Sequence, residues 1–554
     1  MSCRSFLRTG VIMVIAAWTI SMPARTSVPD GSPPPRESPE WWYLQGAQYA
    51  AGNGATHGRA RNVIVFLGDG MSLTTVAAAR ILEGQRLGGP GENHALSWER
   101  FPHTGLGKTY NTDSQTPDSA GTMTAIATGI KTHMGAIGVA AGAVDDCADS
   151  QRKHALSWLR LGASAGMATG VVTTARLTHA TPAATYAHTP NRRWEGDADL
   201  SDDARAQGCR DIAAQLAGLA PTVAPRVLLG GGRARFLPLE TPDPEYPDLT
   251  GARRDGRDLV HEWLQAHPEG RFAWNREQLR KARGSRHVLG LFEPQHMQYE
   301  HDRERGPTGD PDLAEMTRFA IEQLASHEDG YVMLVEGARI DHAHHAGNAF
   351  RALDETLSLA RAVQAALDAT SREDTLILVT ADHSHTLGFV GYPHRGNPIL
   401  GTVRDRPGED GQPGPEALDA LGLPYTTLVY ANGAGNTGAS DHQPAGPKSL
   451  PHKPRDYTPA TGRPDLRQVD TAHPDYLQEA LVPMWDETHG GDDVGIWAIG
   501  PGSQAVRGTM EQHALYHIIV QATPALREHL CRAGTCDGDG VPVRRPDPAD
   551  FPPR

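Results

Sequence analysis

One pattern constrains this chain more than any other. Short, continuous, β-branched apolar runs end in glycine or a polar residue and alternate with helical patterns. Asn62-Val-Ile-Val-Phe-Leu67 stops at Gly68, and residues 75–87 behind it carry helical periodicity. Similar runs recur at 170–173, 226–229, 330–335, 374–380 and 494–499, with helical patterns at 156–165, 311–326, 349–367 and 510–522. A strand wetted on one face alternates apolar and polar residues, so unbroken runs point to strands covered on both faces. The expected fold is therefore α/β: three αβα layers around a central, mostly parallel sheet.

In such sheets, ligands bind beyond the carboxyl ends of the strands. Polar, metal-capable residues stand there: Asp69 after the first run, Glu336 after 330–335, and Asp382 with His383 after 374–380. Residues this far apart in sequence can share a site only if one domain spans them, which we place at 38–525. Residues 402–475 shift to Pro, Gly, Asp and His with one clear apolar stretch, Thr427-Leu-Val-Tyr430, and read as a surface insertion. Trp41-Trp42-Tyr43 opens an apolar face at helical spacing that docks on a partner or on its own domain. Residues 526–554 read as a polar, mobile tail.

Of the 554 residues, 52 are Lys or Arg and 66 are Asp or Glu, giving a net charge of −14. That balance excludes a sequence-independent nucleic-acid binder and an anionic-membrane binder. The 26 histidines hint at metal. Arg4 and Arg8 precede an apolar stretch from Gly10 to Ile20 and the small-residue and proline segment Ser21-Met22-Pro23-Ala24, the layout of a secretory signal peptide over 1–26. The stretch is too short to span a membrane, and the C-terminus lacks a lipid-anchor signal, so a mature form without membrane anchor is expected. Removing the signal leaves Cys147, Cys209, Cys531 and Cys536, an even set suited to two disulfides in an oxidising compartment, secreted or periplasmic.

Ile340-Asp341-His342-Ala343-His344-His345 sets Asp341 and His345 four apart, on one face of a helix and within reach of one ion. Thr380-Ala-Asp382-His383-Ser-His385 adds a carboxylate and two imidazoles, and Glu487-Thr-His489 another imidazole before the last run. Ser119 in Pro117-Asp-Ser119 begins a small-residue, helix-compatible stretch. There, free N–H groups favour an alkoxide or a bound phosphate, while Asp118 or Ser119 could equally serve only as an N-cap.

Together, Asn62-Val-Ile-Val-Phe-Leu-Gly-Asp-Gly-Met71, Pro117-Asp-Ser119, Val172-Thr-Thr-Ala-Arg-Leu-Thr-His-Ala-Thr-Pro182, Val335-Glu-Gly-Ala-Arg-Ile-Asp-His-Ala-His-His345, Thr380-Ala-Asp-His-Ser-His385 and Glu487-Thr-His489 closely resemble the alkaline phosphatases, in particular the animal-type branch. The resemblance implies a homodimeric phosphomonoester hydrolase with two Zn²⁺ and one Mg²⁺ per subunit, acting through a phosphoserine at alkaline pH. Carried over by motif, Asp341, His345 and His489 hold the first zinc, and Asp69, Asp382 and His383 the second. Asp69, Thr181 and Glu336 hold magnesium, with His179 acting through water. Ser119 is the nucleophile, Arg192 grips phosphate, and His385 orients a zinc ligand. The same resemblance pairs Cys147 with Cys209 and Cys531 with Cys536, and implies a Ca²⁺ site at Glu245, the Phe292 carbonyl, Glu293 and Asp310. Sulfatases and phosphodiesterases of the same superfamily are the alternative. Sulfatases, however, carry their nucleophile in Cys/Ser-x-Pro-x-Arg, which Ser119-Ala-Gly-Thr-Met123 is not, and the magnesium site with Arg192 suits a monoester.

Overall fold

Ten strands form the central sheet, eight of them β1 (Asn62–Gly68), β2 (His103–Lys108), β3 (Ala168–Arg176), β4 (Val227–Gly231), β5 (Gly270–Ala273), β6 (His287–Leu291), β7 (Tyr331–Gly337) and β8 (Thr375–Ala381). Strands Val494–Ile499 and Gly508–Glu511 complete it, in the order Gly508–Glu511, β2, Val494–Ile499, β8, β1, β7, β3, β4, β6, β5. The computed structural model describes residues 37–408, 414–436, 463 and 465–552. Pro39–Arg554 form one compact unit apart from Met1–Ser38, of which only Glu37 and Ser38 are described. The expected signal peptide and much of the 402–475 segment lie outside the described residues.

The central strands read as continuous apolar runs because each face has its own core. Val63, Val65 and Leu67 of β1 point into one cluster, with Met123, Leu159 and Ile519, and Ile64 and Phe66 into the other, with Val76, Phe319 and Leu353. Helices Ser119–Thr128, Trp158–Ser164 and Ala514–Ala522 supply the first layer, and Leu73–Arg86, Leu313–Leu324 and Ala349–Ala369 the second. Each fully buried Val, Ile, Leu or Phe contributes roughly 1.5–3 kcal/mol.

Every pairing in this sheet is parallel except those of Val494–Ile499, antiparallel to both β8 and β2. That reversal matters for the site. Residues just before an antiparallel strand sit at the same sheet edge as residues just after its parallel neighbours.

The aromatic N-terminal face docks on its own domain: in helix Pro39–Gly52, Trp42 meets His513 edge-on and Tyr43 meets His517. Two expectations differ. The 510–522 helix is a strand, Gly508–Glu511, followed by a helix, Ala514–Ala522, because Gly508–Glu511 pairs with β2. The C-terminal segment continues as helix Pro524–Arg532 and buries Leu526, Leu530 and Phe551 in the first core, so its polar residues cover an anchored chain. Cys147 is bonded to Cys209 and Cys531 to Cys536. Among the described residues, no helix is long and apolar enough to cross a membrane.

Candidate active site

Beyond the carboxyl edge of the sheet, β1 delivers Asp69, β7 Glu336, β8 Asp382 and His383, and the helix Arg339–His345 Asp341 and His345. His489 arrives by the reversed strand. Gly70 has φ of +69°, and a Cβ there would lie 2.2 Å from the His385 ring, so the turn after Asp69 admits only glycine.

Ser119 is the first residue of a wholly buried helix whose N-cap is Asp118. Its Oγ lies 3.1 Å from Nε2 of His383. That same nitrogen lies 3.4 Å from Asp69 Oδ1 and 3.2 Å from Asp382 Oδ2. His383 Nδ1 faces the Ser384 carbonyl at 3.3 Å, which makes Nδ1 the donor and leaves the Nε2 lone pair aimed at these oxygens.

A second convergence surrounds Asp341. Its Oδ1 is 3.3 Å from His345 Nε2 and 3.4 Å from His489 Nε2, and those two nitrogens are 3.1 Å apart. His345 Nδ1 faces the Glu487 carbonyl at 2.5 Å and His489 Nδ1 the Pro117 carbonyl at 2.7 Å. With both Nδ1 atoms donating, two lone pairs and a carboxylate oxygen point at one spot, an arrangement that repels itself unless a cation or a proton lies between.

Other buried atoms make the same demand. Both oxygens of Asp69, Asp382 Oδ2, Glu336 Oε1 and the Thr181 hydroxyl have no hydrogen-bond partner. Burial, then the neighbouring carboxylates, pushes Asp69 well above the usual carboxylate range, and burial pushes Glu336 up to about 8. Such a set is acceptable to the fold only when positive charge or protons fill it. The donors fit divalent cations: nitrogen and carboxylate oxygen lie together at Asp341, His383, His385 and His489 and again at Asp69, Asp382 and His383, and the partnerless oxygens of Asp69, Thr181 and Glu336 are hard donors.

Arg192 donates from Nη1 to Asp118 Oδ2 at 3.0 Å, and its Nη2 lies 3.2 Å from His179 Nε2. Asp118 also accepts from the N–H groups of Gly121 and Gly135, each at 3.1 Å. Burial would raise this carboxyl, but Arg192 and those N–H groups hold it below the usual range. The N-cap thus also anchors the arginine. His385 sits 2.8 Å from Asp341 through Nε2 and hydrogen-bonds Glu487 through Nδ1, while Glu487 accepts from Thr386 N at 2.6 Å. Of the other histidines on the Arg339–His345 helix, His344 turns into the core between Thr75 and Tyr430, and His342 meets His179 and His296.

Sequence reading missed the Asp118–Arg192 link, the buttressing by Glu487 and the presence of His296 beside His179. Only the Glu487-Thr-His489 spacing carried a signal for any of these.

Among the expected calcium residues, Glu293 and Asp310 are buried, and Glu245 accepts from Arg233 at 2.9 Å. Burial first, and mutual repulsion after it, raises Glu245 to about 7 and Asp310 to about 8.

A family model described as alkaline phosphatase matches residues 60–525. The tissue-nonspecific alkaline phosphatase of Gallus gallus is 43% identical over 84% of this chain and 84% of its own length. That of Homo sapiens is 41% identical over 84% and 83%, and the alkaline phosphatase of Gadus morhua 41% over 84% and 92%. The crystal structure of Thermus thermophilus alkaline phosphatase superposes with a TM-score of 0.59 at 24% identity, covering 87% of this chain and 94% of that one, and bears on the fold alone.

Proposed function

The chain belongs to the alkaline phosphatase family and hydrolyses phosphate monoesters, and from that premise we propose that Ser119 carries the phosphoryl group between two in-line displacements. The observation behind the proposal is a nucleophile-capable hydroxyl at the first position of a buried helix, 3.1 Å from His383 Nε2 and beside buried carboxylates that call for cations.

The family is metal-dependent. In our reading Asp341, His345 and His489 hold one Zn²⁺, Asp69, Asp382 and His383 a second, and Asp69, Thr181 and Glu336 a Mg²⁺. When bound, these ions supply the positive charge that favours an alkoxide over a hydroxyl and draws a dianion to a protein of net charge −14. The chain itself does the rest. Ser119 Oγ forms its bond to phosphorus as the bond to the alcohol oxygen breaks, and that oxygen leaves with a proton from solvent. The Arg192 guanidinium, held by Asp118, presents a planar fork to two phosphoryl oxygens. Helix N–H groups behind Ser119 favour the negative charge. Water then attacks the phosphoserine, releasing inorganic phosphate and restoring Ser119. His385, between Asp341 and Glu487, orients Asp341, and His179 steadies Arg192.

Further parts of the reading are Ca²⁺ at Glu245, Phe292, Glu293 and Asp310, assembly as a homodimer, and secretion after removal of residues 1–26.

The test is stereochemical. With a monoester chiral at phosphorus, transfer through Ser119 gives overall retention, whereas direct attack by water inverts the centre, and inversion would overturn the proposal. Ser119→Ala is expected to lose several orders of magnitude in kcat while still binding phosphate. Comparing a monoester, a diester and a sulfate ester of one chromogenic alcohol separates this activity from the sulfatase and phosphodiesterase alternatives.

A further inference from the structure

A cavity of about 570 Å³ opens between residues 151–160, His188 and the C-terminal segment 545–549, and shares no lining residue with the active site. Three arginines line it, Arg152, Arg160 and Arg545. Arg152 reaches Asp149 at 3.0 Å, and Arg545 reaches Glu40 at 3.1 Å, both toward the surface. The Arg160 guanidinium has no hydrogen bond or ion pair among the described residues. Burial without a neighbouring carboxylate pulls it below the ordinary guanidinium range.

The one acid in the wall, Asp547, accepts from Ala549 N at 2.9 Å and keeps its charge, so the lining sets three guanidinium groups against one carboxylate. His154 and His188 stack at 4.1 Å with 15° between their planes, and burial keeps both imidazoles below their usual range, His188 at about 3. They form a neutral, flat wall. The cavity's excess charge therefore belongs to arginine.

A half-buried guanidinium gives up hydration that a partner must replace, and here the fold supplies none. The protein's overall charge of −14 repels anions, so a locally positive cavity is a departure from the surrounding surface. Its volume suits a small molecule, and the guanidinium fork of Arg160, with Arg152 and Arg545 in the same wall, matches the oxygens of phosphate.

We propose that this cavity is an oxyanion site separate from the catalytic centre, taking inorganic phosphate or the phosphate group of a small organic phosphate, with Arg160 as its principal contact and Arg152 and Arg545 completing it. Because phosphate is also the product of the reaction, occupancy rises as substrate is consumed. The bound anion ties the 151–160 segment to the C-terminal residues and stabilises that junction by mass action.

Equilibrium dialysis of the metal-replete protein against labelled inorganic phosphate tests this. Native protein is expected to bind two phosphates per chain, one at the catalytic centre and one here. Arg160→Gln is expected to bind one, with monoester hydrolysis and competitive inhibition by phosphate unchanged. If Arg160→Gln does not fold, the more exposed pair Arg152→Ala with Arg545→Ala serves, and is expected to weaken the second site at least tenfold. A single phosphate in the native protein, or an undiminished second site in the variants, overturns the proposal. Failure of the catalytic reading would appear instead as altered hydrolysis or inhibition, leaving the second count intact.

Discussion

Withdrawing cations from the active site should make the protein lose stability as pH rises, and the size of the loss follows from two buried groups. Glu336 is pushed up from its ordinary 4.5 to about 8, chiefly by desolvation and, against the hydrogen bond from Thr173, further by Asp382 and Asp341. A carboxyl with a raised folded pKa holds its proton more tightly folded than unfolded. Between about pH 4.5 and 8 the unfolded chain has released that proton and the folded one has not, so stability falls by up to roughly 5 kcal/mol. His385 acts in the same direction. Burial opposes its charge, but Glu487 and Asp341 raise it from 6.5 to about 10, so its contribution is complete below pH 6.5 and gone above about 10. Asp69 and Asp382 are also raised. Set against a total stability of about 5–15 kcal/mol, this is a large fraction. Bound cations replace the protons and should remove the slope. Scanning calorimetry of chelator-treated and reconstituted protein between about pH 6 and 9 measures it, and Glu336→Gln in the metal-free protein should flatten it in part. A metal-free Tm that stays level or rises across that interval would refute the reasoning.

Arg192→Ala should weaken inhibition by phosphate roughly a hundredfold or more, since it removes two charge-assisted hydrogen bonds that contribute about 1.5–3 kcal/mol each. An unchanged inhibition constant would remove Arg192 from the phosphate site. Replacing Cys147 and Cys209 by Ser together should lower stability by about 2–5 kcal/mol, read from the denaturant midpoint, with kcat retained. Trp42→Ala should cost roughly 3–5 kcal/mol, because the ring is 2% exposed and packs on His513. A midpoint equal to that of the native protein would mean the N-terminal helix is not part of the cooperative unit.

Most of the buried parallel strands were legible because a strand covered on both faces must be apolar at successive positions, as Val63 through Leu67 are, whereas β6, buried but only five residues long and broken by Gly290, was not. β2 was not, since His103-Thr-Gly-Leu-Gly-Lys108 interrupts its apolar residues with glycine, nor was the edge strand β5, only four residues long. Met510 looked helical because its apolar side chain continues the periodicity of Ala514–Ala522, whereas pairing with β2 decides its conformation. At the site, residues following strand ends could be read from position. The Asp118–Arg192 and His385–Glu487 contacts could not, because each joins segments 74 and 102 residues apart.

The single reversed strand, Val494–Ile499, has a consequence for how the molecule is made. His489 stands at its entrance, so the cluster that begins with Asp69 is incomplete until nearly the whole chain has left the ribosome. A truncated product ending before residue 489 presents Asp341 and His345 without their third neighbour. The proposed cation site at this cluster therefore requires a nearly finished polypeptide, and a late sheet pairing doubles as a check on completeness.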